Sequence, residues 1–394
     1  MILVTCPREL PHLLAEEVRA LGYTVTSVLP AGVEIDAPYE ACYHLNLWLR
    51  TAHRVLWRVG SFPARTAQEM YDAVHRVAWE EWIPVDGYLS VISSIRTPSI
   101  TNTAFANLKC KDAVVDRLRD VHGSRPDAGP RTDRSVVFLY WHDDTCMVYV
   151  DTSGTPLSDR GYRKHPGKAP LRESLAAAVL MSTVWKGAGH VINPMCGSGT
   201  LAIEAALMAR NIAPGTLRSN FGLLHLLPTD VKAWNEARMQ ARKQAHQRLP
   251  EGMQIVASDN DGWVVDKAKQ NAIAAGVGRD VRFTVCDFRE SPLPRLPKQP
   301  SGHDIVILNP EYGMRLGVES ELVETYAAIG DWFKQACTGY TGYIFTGNLQ
   351  LAKKVGLASS KKTPFWSADV ECRLFEYELY SGTRRAEAEA PGLP

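Results

Sequence analysis

The run Gly189-His-Val-Ile-Asn-Pro-Met-Cys-Gly-Ser-Gly-Thr-Leu-Ala-Ile-Glu-Ala205 decides how this chain is read. A short apolar segment, Val191 and Ile192, breaks at Asn193-Pro194 and turns through Gly197 and Gly199. Apolar residues at helical spacing follow, Leu201, Ala202, Ala205 and Ala206. The pattern reads as strand, tight turn, helix. Glycines in such a turn let the backbone come close to a ligand where a Cβ would collide, and the helix N-terminus offers unpaired N–H groups. An ordinary strand-to-helix connection also explains two glycines, so the neighbouring segments must choose between the readings.

Toward the C-terminus the pattern is that of a parallel α/β sheet. Strands are expected over 254–257, 281–285, 304–308 and 341–346, with two late ones near 361–365 and 371–379, and a mostly helical insertion over 211–252. The strands end at Asp259, at Asp287 and at Asn309-Pro310-Glu311-Tyr312. With Asn193, polar residues thus recur at successive strand C-termini, the edge along which open α/β sheets bind ligands.

Toward the N-terminus, residues 1–62 alternate as β-α-β-β-α-β, the order of a ferredoxin-like unit. A second unit follows over 63–152, with helices near 67–82 and 102–122 and strands near 89–94, 136–141 and 147–150. Its long helix carries Lys109, Lys111, Arg117 and Arg119 among Asp112, Asp116 and Asp120, the spacing of a solvated face with internal ion pairs. Residues 153–186 read as a linker and helix. The linker is basic, with Arg160, Arg163, Lys164, His165, Lys168 and Arg172 around Tyr162 and a single acid, Asp159. Cations interleaved with an aromatic ring beside a ligand site suggest contact with the phosphates and bases of a nucleic acid.

Composition sets bounds. A chain of 394 residues, 45% hydrophobic and 22% charged, predicts two or three globular domains. Forty-four Lys and Arg against 43 Asp and Glu give a net charge of +1, so a nucleic-acid contact has to come from local patches. The eight cysteines are scattered without a CxxC or CxH pair, which argues against zinc and against a disulfide framework. The N-terminus has no basic leader and no apolar run approaches 18 residues; a soluble, cytoplasmic protein is expected.

Three ligands compete for the glycine turn. Gly197-x-Gly199-x-x-Ala202 matches the loose dinucleotide fingerprint, but the acid that should follow about twenty residues later is displaced to Asp259. No GxxxxGK[ST] is present, which removes a P-loop. S-adenosylmethionine fits better: its ribose hydroxyls suit Asp259, with Asp261 as an alternate, and its adenine amino group suits Asp287. Asn309-Pro310-x-Tyr312 adds a chemical reason. Methylating an exocyclic base nitrogen requires its delocalised lone pair to be freed. The Asn309 side-chain carbonyl and the Pro310 backbone carbonyl would accept both amino hydrogens, while Tyr312 stacks on the base. Neither a metal nor a strong base is needed. Cys196 is not read as a nucleophile, since no activating base lies near it in sequence.

At these motifs the chain resembles the THUMP-domain RNA guanine-N2 methyltransferases, the group containing the bacterial 23S rRNA enzyme and the tRNA guanine-6 enzymes. The likeness rests on Thr5-Cys6-Pro7-Arg8-Glu9-Leu10, Asn107-Leu108-Lys109-Cys110-Lys111-Asp112-Ala113 and Val150-Asp151-Thr152-Ser153-Gly154. It continues through Arg160-Gly161-Tyr162-Arg163, Ala169-Pro170-Leu171-Arg172-Glu173 and Asn193-Pro194-Met195-Cys196-Gly197-Ser198-Gly199-Thr200. The resemblance implies a ferredoxin-like domain, a THUMP RNA-binding domain and a Rossmann-like methyltransferase domain over 187–383, with 384–394 as a tail. It implies that Asn193, Gly197 and Gly199 contact the methionine end of the cofactor, Asp259 the ribose and Asp287 the adenine. Asn309, Pro310 and Tyr312 would hold the target amino group. RNA, ribosomal or transfer, is the implied partner, with Lys109, Lys111, Arg160, Tyr162, Arg163 and Lys164 as its expected contacts.

Two departures stand out. Family members usually carry Asp at Asn193, and Asn-Pro-Pro-Tyr where this chain has Asn-Pro-Glu-Tyr. Glu311 could recognise the donor edge of guanine, or could mark a changed target or weakened catalysis. The chain ends soon after the first methyltransferase domain, so one modification is expected where bifunctional members make two.

Overall fold

The structure is a computed structural model and describes residues 1–100, 102–164, 171–296, 303–311, 319–367 and 369–380. The expected tail, 384–394, lies outside them. The chain divides into two compact units, Met1–Gly161 with Ile212–Ala245, and Tyr162–Asn211 with His246–Pro394.

The first unit holds β1 (Ile2–Thr5), α1 (Pro11–Ala20), β2 (Val25–Leu29), β3 (Gly32–Ile35), α2 (Ala41–Trp48), β4 (Arg54–Pro63) and α3 (Ala67–His75). It continues with β5 (Tyr88–Arg96), α4 (Thr103–His122), β6 (Asp127–Ala128), β7 (Ser135–His142) and β8 (Thr145–Asp151). Local chemistry sets the helix ends. Pro11 opens α1 at a position where no amide donor is needed, and the Asn102 side chain accepts from the Ala104 and Phe105 amides to start α4. Gly123, at φ +71, closes α4 in the left-handed conformation. The helix expected over 67–82 is shorter, with only a 3-10 turn at Trp79–Glu81 beyond it.

Both sequence halves share one eight-stranded sheet in the order β2-β3-β1-β4-β8-β7-β5-β6. The joint is the antiparallel pair β4 and β8, while β5 and β7 run parallel. Tucked beneath the second half is a core of Trp79, Leu89, Val114, Leu118, Val137, Leu139 and Trp141.

The second unit holds α5 (Glu173–Met181), β9 (Val191–Pro194) and α6 (Thr200–Ala209). After the insertion, whose helix α7 (Val231–Lys243) belongs to the first unit, come β10 (Ile255–Asp259), α8 (Gly262–Ala274), β11 (Val281–Val285) and β12 (Ile305–Leu308). The last elements are α9 (Glu319–Ala336), β13 (Thr341–Thr346), α10 (Leu349–Lys354), β14 (Lys361–Ser367) and β15 (Val370–Glu378). The sheet order is β11-β10-β9-β12-β13-β15-β14, Rossmann-like through its parallel strands, with β15 antiparallel to both β13 and β14. Chain progression reverses between β9 and β12, which makes that gap the topological switch point.

The insertion departs from its sequence reading. Residues 212–245 build into the first unit, and their helix is limited to α7, preceded by two 3-10 turns, Pro214–Leu217 and Gly222–His225. Trp234 of α7 is buried against Tyr43 and Phe221, with ring centroids 6.0 and 4.9 Å away. Gly222 runs so close to β8 that a Cβ there would lie 2.2 Å from the Asp151 carbonyl oxygen. Arg218 is buried, donates to the carbonyls of Ser153, Thr155 and Pro156, and lies over the Phe221 ring at 4.5 Å. Burial lowers its pKa to about 10. Among the described residues no helix is long and apolar enough to cross a membrane.

Candidate active site

The glycine turn links β9 to α6 by an unusual backbone path. Met195, Gly197 and Gly199 all have positive φ, at 58°, 54° and 81°. The Cys196 amide donates to the Ser258 carbonyl at 2.8 Å and the Gly199 amide to the Cys196 carbonyl at 2.9 Å, which fastens the turn to the end of β10. The two glycines answer different needs. A Cβ on Gly199 would stand 3.0 Å from the Ala268 Cβ of α8, whereas one on Gly197 would meet no protein atom within 4 Å. Gly199 serves helix packing; Gly197 leaves space above the turn.

Asp259, at the end of β10, accepts the Gly197 amide on one carboxylate oxygen at 3.0 Å and the Asp261 amide on the other at 3.2 Å. Asp261 is a helix cap: it accepts the Trp263 and Val264 amides at the start of α8. Asp287 follows β11 and caps the 3-10 turn Phe288–Glu290. Both its oxygens also take the Arg289 guanidinium, at 2.8 and 3.0 Å. Those bonds hold its carboxyl below the usual carboxylate range.

Across the switch point, Asn193 and Asn309 stand at the ends of β9 and β12. Asn193 is 1% exposed, and its Nδ2 donates to the Ile307 carbonyl at 2.9 Å. Its Oδ1 and the Oδ1 of Asn309 are both buried without a hydrogen-bond partner among the described residues. A buried acceptor left unmade costs about 1–3 kcal/mol, and these two, at the ligand edge of one sheet, are acceptors that a bound ligand would satisfy. Pro310 is buried and Glu311 exposed; Tyr312 lies outside the described residues.

The linker residues expected on RNA are largely interior. Arg160 is 1% exposed and donates to the carbonyls of Leu157 and Arg50 at 2.7 and 2.5 Å. Tyr162 is 2% exposed, its hydroxyl on Glu204 of α6 at 3.1 Å, so its ring has no face to offer a base. Arg163 pairs with Glu173 at 3.0 Å and also donates to Ser198, Thr200 and the Leu171 carbonyl, clasping the glycine turn from beneath. A cation with its donors committed to buried acceptors cannot neutralise a phosphate. Lys164 is exposed, as is Arg172 further along the linker; His165 and Lys168 lie outside the described residues. On α4, Lys109 lies 4.9 Å over the Tyr71 ring and Lys111 pairs with Asp112 at 2.8 Å.

Sequence reading missed the residues that brace the turn. Asn271 of α8, fully buried, accepts the Lys164 amide at 3.0 Å and donates to the Ser198 carbonyl at 3.2 Å. Glu173 and Glu204 are buried, and burial raises the Glu173 pKa. The legible signal for Glu204 is an acid inside the otherwise apolar run 201–209. Cys196 is buried, and burial pushes its thiol up, the opposite of nucleophile activation. Among the described residues no group of His, Cys, Asp and Glu could hold a metal, and none of the eight cysteines is in a disulfide.

Comparison with known proteins follows this geometry. Residues 160–375 match the family described as RMKL-like, methyltransferase domain; residues 1–56 match the RlmL ferredoxin-like domain and 64–151 the THUMP domain. Over 394 residues the chain is 34% identical to "Ribosomal RNA large subunit methyltransferase K/L" of Syntrophotalea carbinolica, covering 99% of this chain and 55% of that protein. The chain spans about half the length of the curated relatives it matches. Among solved structures, SMU.472 complexed with SAH is similar at 26% identity and a TM-score of 0.84, covering 97% of this chain and 98% of that one. A Listeria monocytogenes protein described as a predicted N6-adenine-specific DNA methylase is similar at 28% identity and a TM-score of 0.83, covering 96% of each.

Proposed function

The chain belongs to the RMKL-like methyltransferase-domain family, and from that premise we propose that it is an S-adenosylmethionine-dependent RNA methyltransferase, acting on the exocyclic N2 of a guanine in large-subunit ribosomal RNA. The observation that carries the reading is the pair of buried amide oxygens, Asn193 Oδ1 and Asn309 Oδ1, on either side of the switch point, neither with a hydrogen-bond partner among the described residues.

The residues present suit the cofactor. Its ammonium is a donor for the Asn193 oxygen, its ribose hydroxyls are donors for Asp259, and the space at Gly197 admits close backbone approach. Gly199 acts indirectly, by letting α6 seat on α8. Asp287 takes the adenine amino group only by sharing its carboxylate with Arg289. When bound, the cofactor supplies an electrophilic methyl group on a sulfonium. Asn309 accepts one hydrogen of the target amino group through its side-chain oxygen and Pro310 accepts the other through its backbone carbonyl. Together they turn the nitrogen lone pair out of the ring and toward the methyl. The amino nitrogen then releases one proton to solvent. Tyr312 is assigned to stack on the base. Lys109, Lys111 and Lys164 are the cations assigned to RNA, weakly for the first two because each already has a partner.

The test is methyl transfer from labelled cofactor onto ribosomal RNA, transfer RNA and DNA, with the product nucleoside identified by mass spectrometry. N2-methylguanosine from 23S rRNA is expected; the same nucleoside from tRNA alone would move the substrate. N6-methyl-2′-deoxyadenosine from DNA would move the assignment to the activity named for the Listeria protein. RNA binding without any turnover would mark a noncatalytic protein that retains the fold, with Glu311 the first residue to revert. Asn309→Ala should lower transfer by about 10²- to 10³-fold, as for loss of one preorganised catalytic hydrogen bond, while cofactor affinity stays. Full turnover by this variant would sink the catalytic assignment.

A further inference from the structure

Asn193 does something at the switch point that an aspartate could not. Backbone pairing of β9 with β10 continues to Pro194 opposite Ser258, but pairing of β9 with β12 stops at Ile192 opposite Val306. One residue further on, where a switch point places the ligand crevice, the bond from Asn193 Nδ2 to the Ile307 carbonyl links the two strands. Ile307 lies two residues before Asn309, and its far side stays paired with β13 at Tyr343. The amide orientation follows from its partner: a carbonyl accepts only, so the nitrogen faces Ile307 and the oxygen is left over.

We propose that Asn193 is a positioning residue that sets the width of the crevice between the cofactor strand and the catalytic strand. Its donor half holds Ile307, and thereby the Asn309-Pro310 carbonyls, at a fixed distance from the acceptor half that faces the cofactor. This rests on the methyltransferase reading above. The asparagine is thus not interchangeable with an aspartate. An ionised carboxylate 2.9 Å from the Ile307 carbonyl would set two acceptors against each other and force β12 outward.

Two variants separate the two halves of the side chain. Asn193→Asp keeps an acceptor for the cofactor and removes the donor; Asn193→Ala removes both without adding charge. Cofactor affinity is read by calorimetry, kcat by methyl transfer at saturating cofactor and RNA, and backbone opening by amide hydrogen exchange over 305–311 in protein without cofactor. Both variants should exchange faster in that segment and lose about 10- to 100-fold in kcat, the scale of a displacement near 1 Å at a reacting centre. Only the alanine variant should also lose cofactor affinity, by about 10-fold or more. A purely structural role would lower stability without this split between affinity and turnover. Wild-type kcat and unchanged exchange in the alanine variant would overturn the proposal, whatever happens to the aspartate variant. If the unaltered protein methylates nothing, the proposed function fails by itself. Faster exchange over 305–311 in both variants then still supports the Ile307 link, and unchanged exchange removes it.

Discussion

The Gly197 amide donates to the Asp259 carboxylate across 3.0 Å, joining the turn after β9 to the end of β10. The residue read as a ribose ligand is therefore also a brace for the turn it faces. Asp259→Ala should weaken cofactor binding by about 10- to 100-fold, the worth of one or two hydrogen bonds to a charged group, and should loosen the turn even without cofactor. Calorimetry and amide exchange at residues 195–199 check both effects.

Gly197 and Gly199 should fail differently. Gly199→Ala pairs a positive φ with a 3.0 Å approach to Ala268, so it should destabilise the protein by about 1–3 kcal/mol in a urea titration. Gly197→Ala carries only the backbone strain, about 1–2 kcal/mol, because its Cβ meets no protein atom. Its larger effect should be on cofactor affinity.

Tyr162→Phe distinguishes an RNA contact from an internal brace. It removes the hydroxyl on Glu204 and leaves a buried carboxylate with one donor fewer. A loss of about 1–3 kcal/mol in stability with unchanged RNA affinity is expected. A fall in RNA affinity without loss of stability would return Tyr162 to the RNA surface.

Arg289→Ala should release the Asp287 carboxyl. Hydrogen bonds from Arg289 hold its pKa below the ordinary value. A depressed folded-state pKa contributes stability above the unfolded-state pKa, and that contribution is lost as pH falls through the folded-state value. The difference in melting temperature between the variant and the unaltered protein should therefore be present at neutral pH. It should vanish at pH below the Asp287 pKa; a difference that persists there would assign the effect to something other than this pair.

Trp234→Ala tests where the insertion belongs. The ring is buried between Tyr43 and Phe221, and removing it should cost about 3–5 kcal/mol. Exchange should rise over 39–49 in the first unit, with β9, β10 and β12 unaffected.

The strand-turn-helix at 189–205 and the polar strand ends were legible because each is a local pattern: periodicity changes from two to 3.6 at a glycine turn, and a strand buried on both faces reads as a continuous apolar run. The order of units was legible for the same reason. The basic linker was misread because composition reports charge and not its neighbours. Arg160 is satisfied by Arg50, 110 residues away, and Tyr162 by Glu204, 42 residues away.

By itself the sequence determined the strand–turn–helix at the ligand edge, the ferredoxin-like order of the first elements, and the Asn-Pro pair after β12, since these depend on residues adjacent along the chain; the THUMP unit was named by family resemblance. Only the tertiary structure decided that residues 212–245 return to the first unit, and that Arg160 and Arg163 are internal braces. It also decided that the Asn193 amide spans a crevice to a carbonyl 114 residues away. Burial and hydrogen-bond satisfaction are set by segments that meet only after folding, and no spacing rule within one segment encodes them.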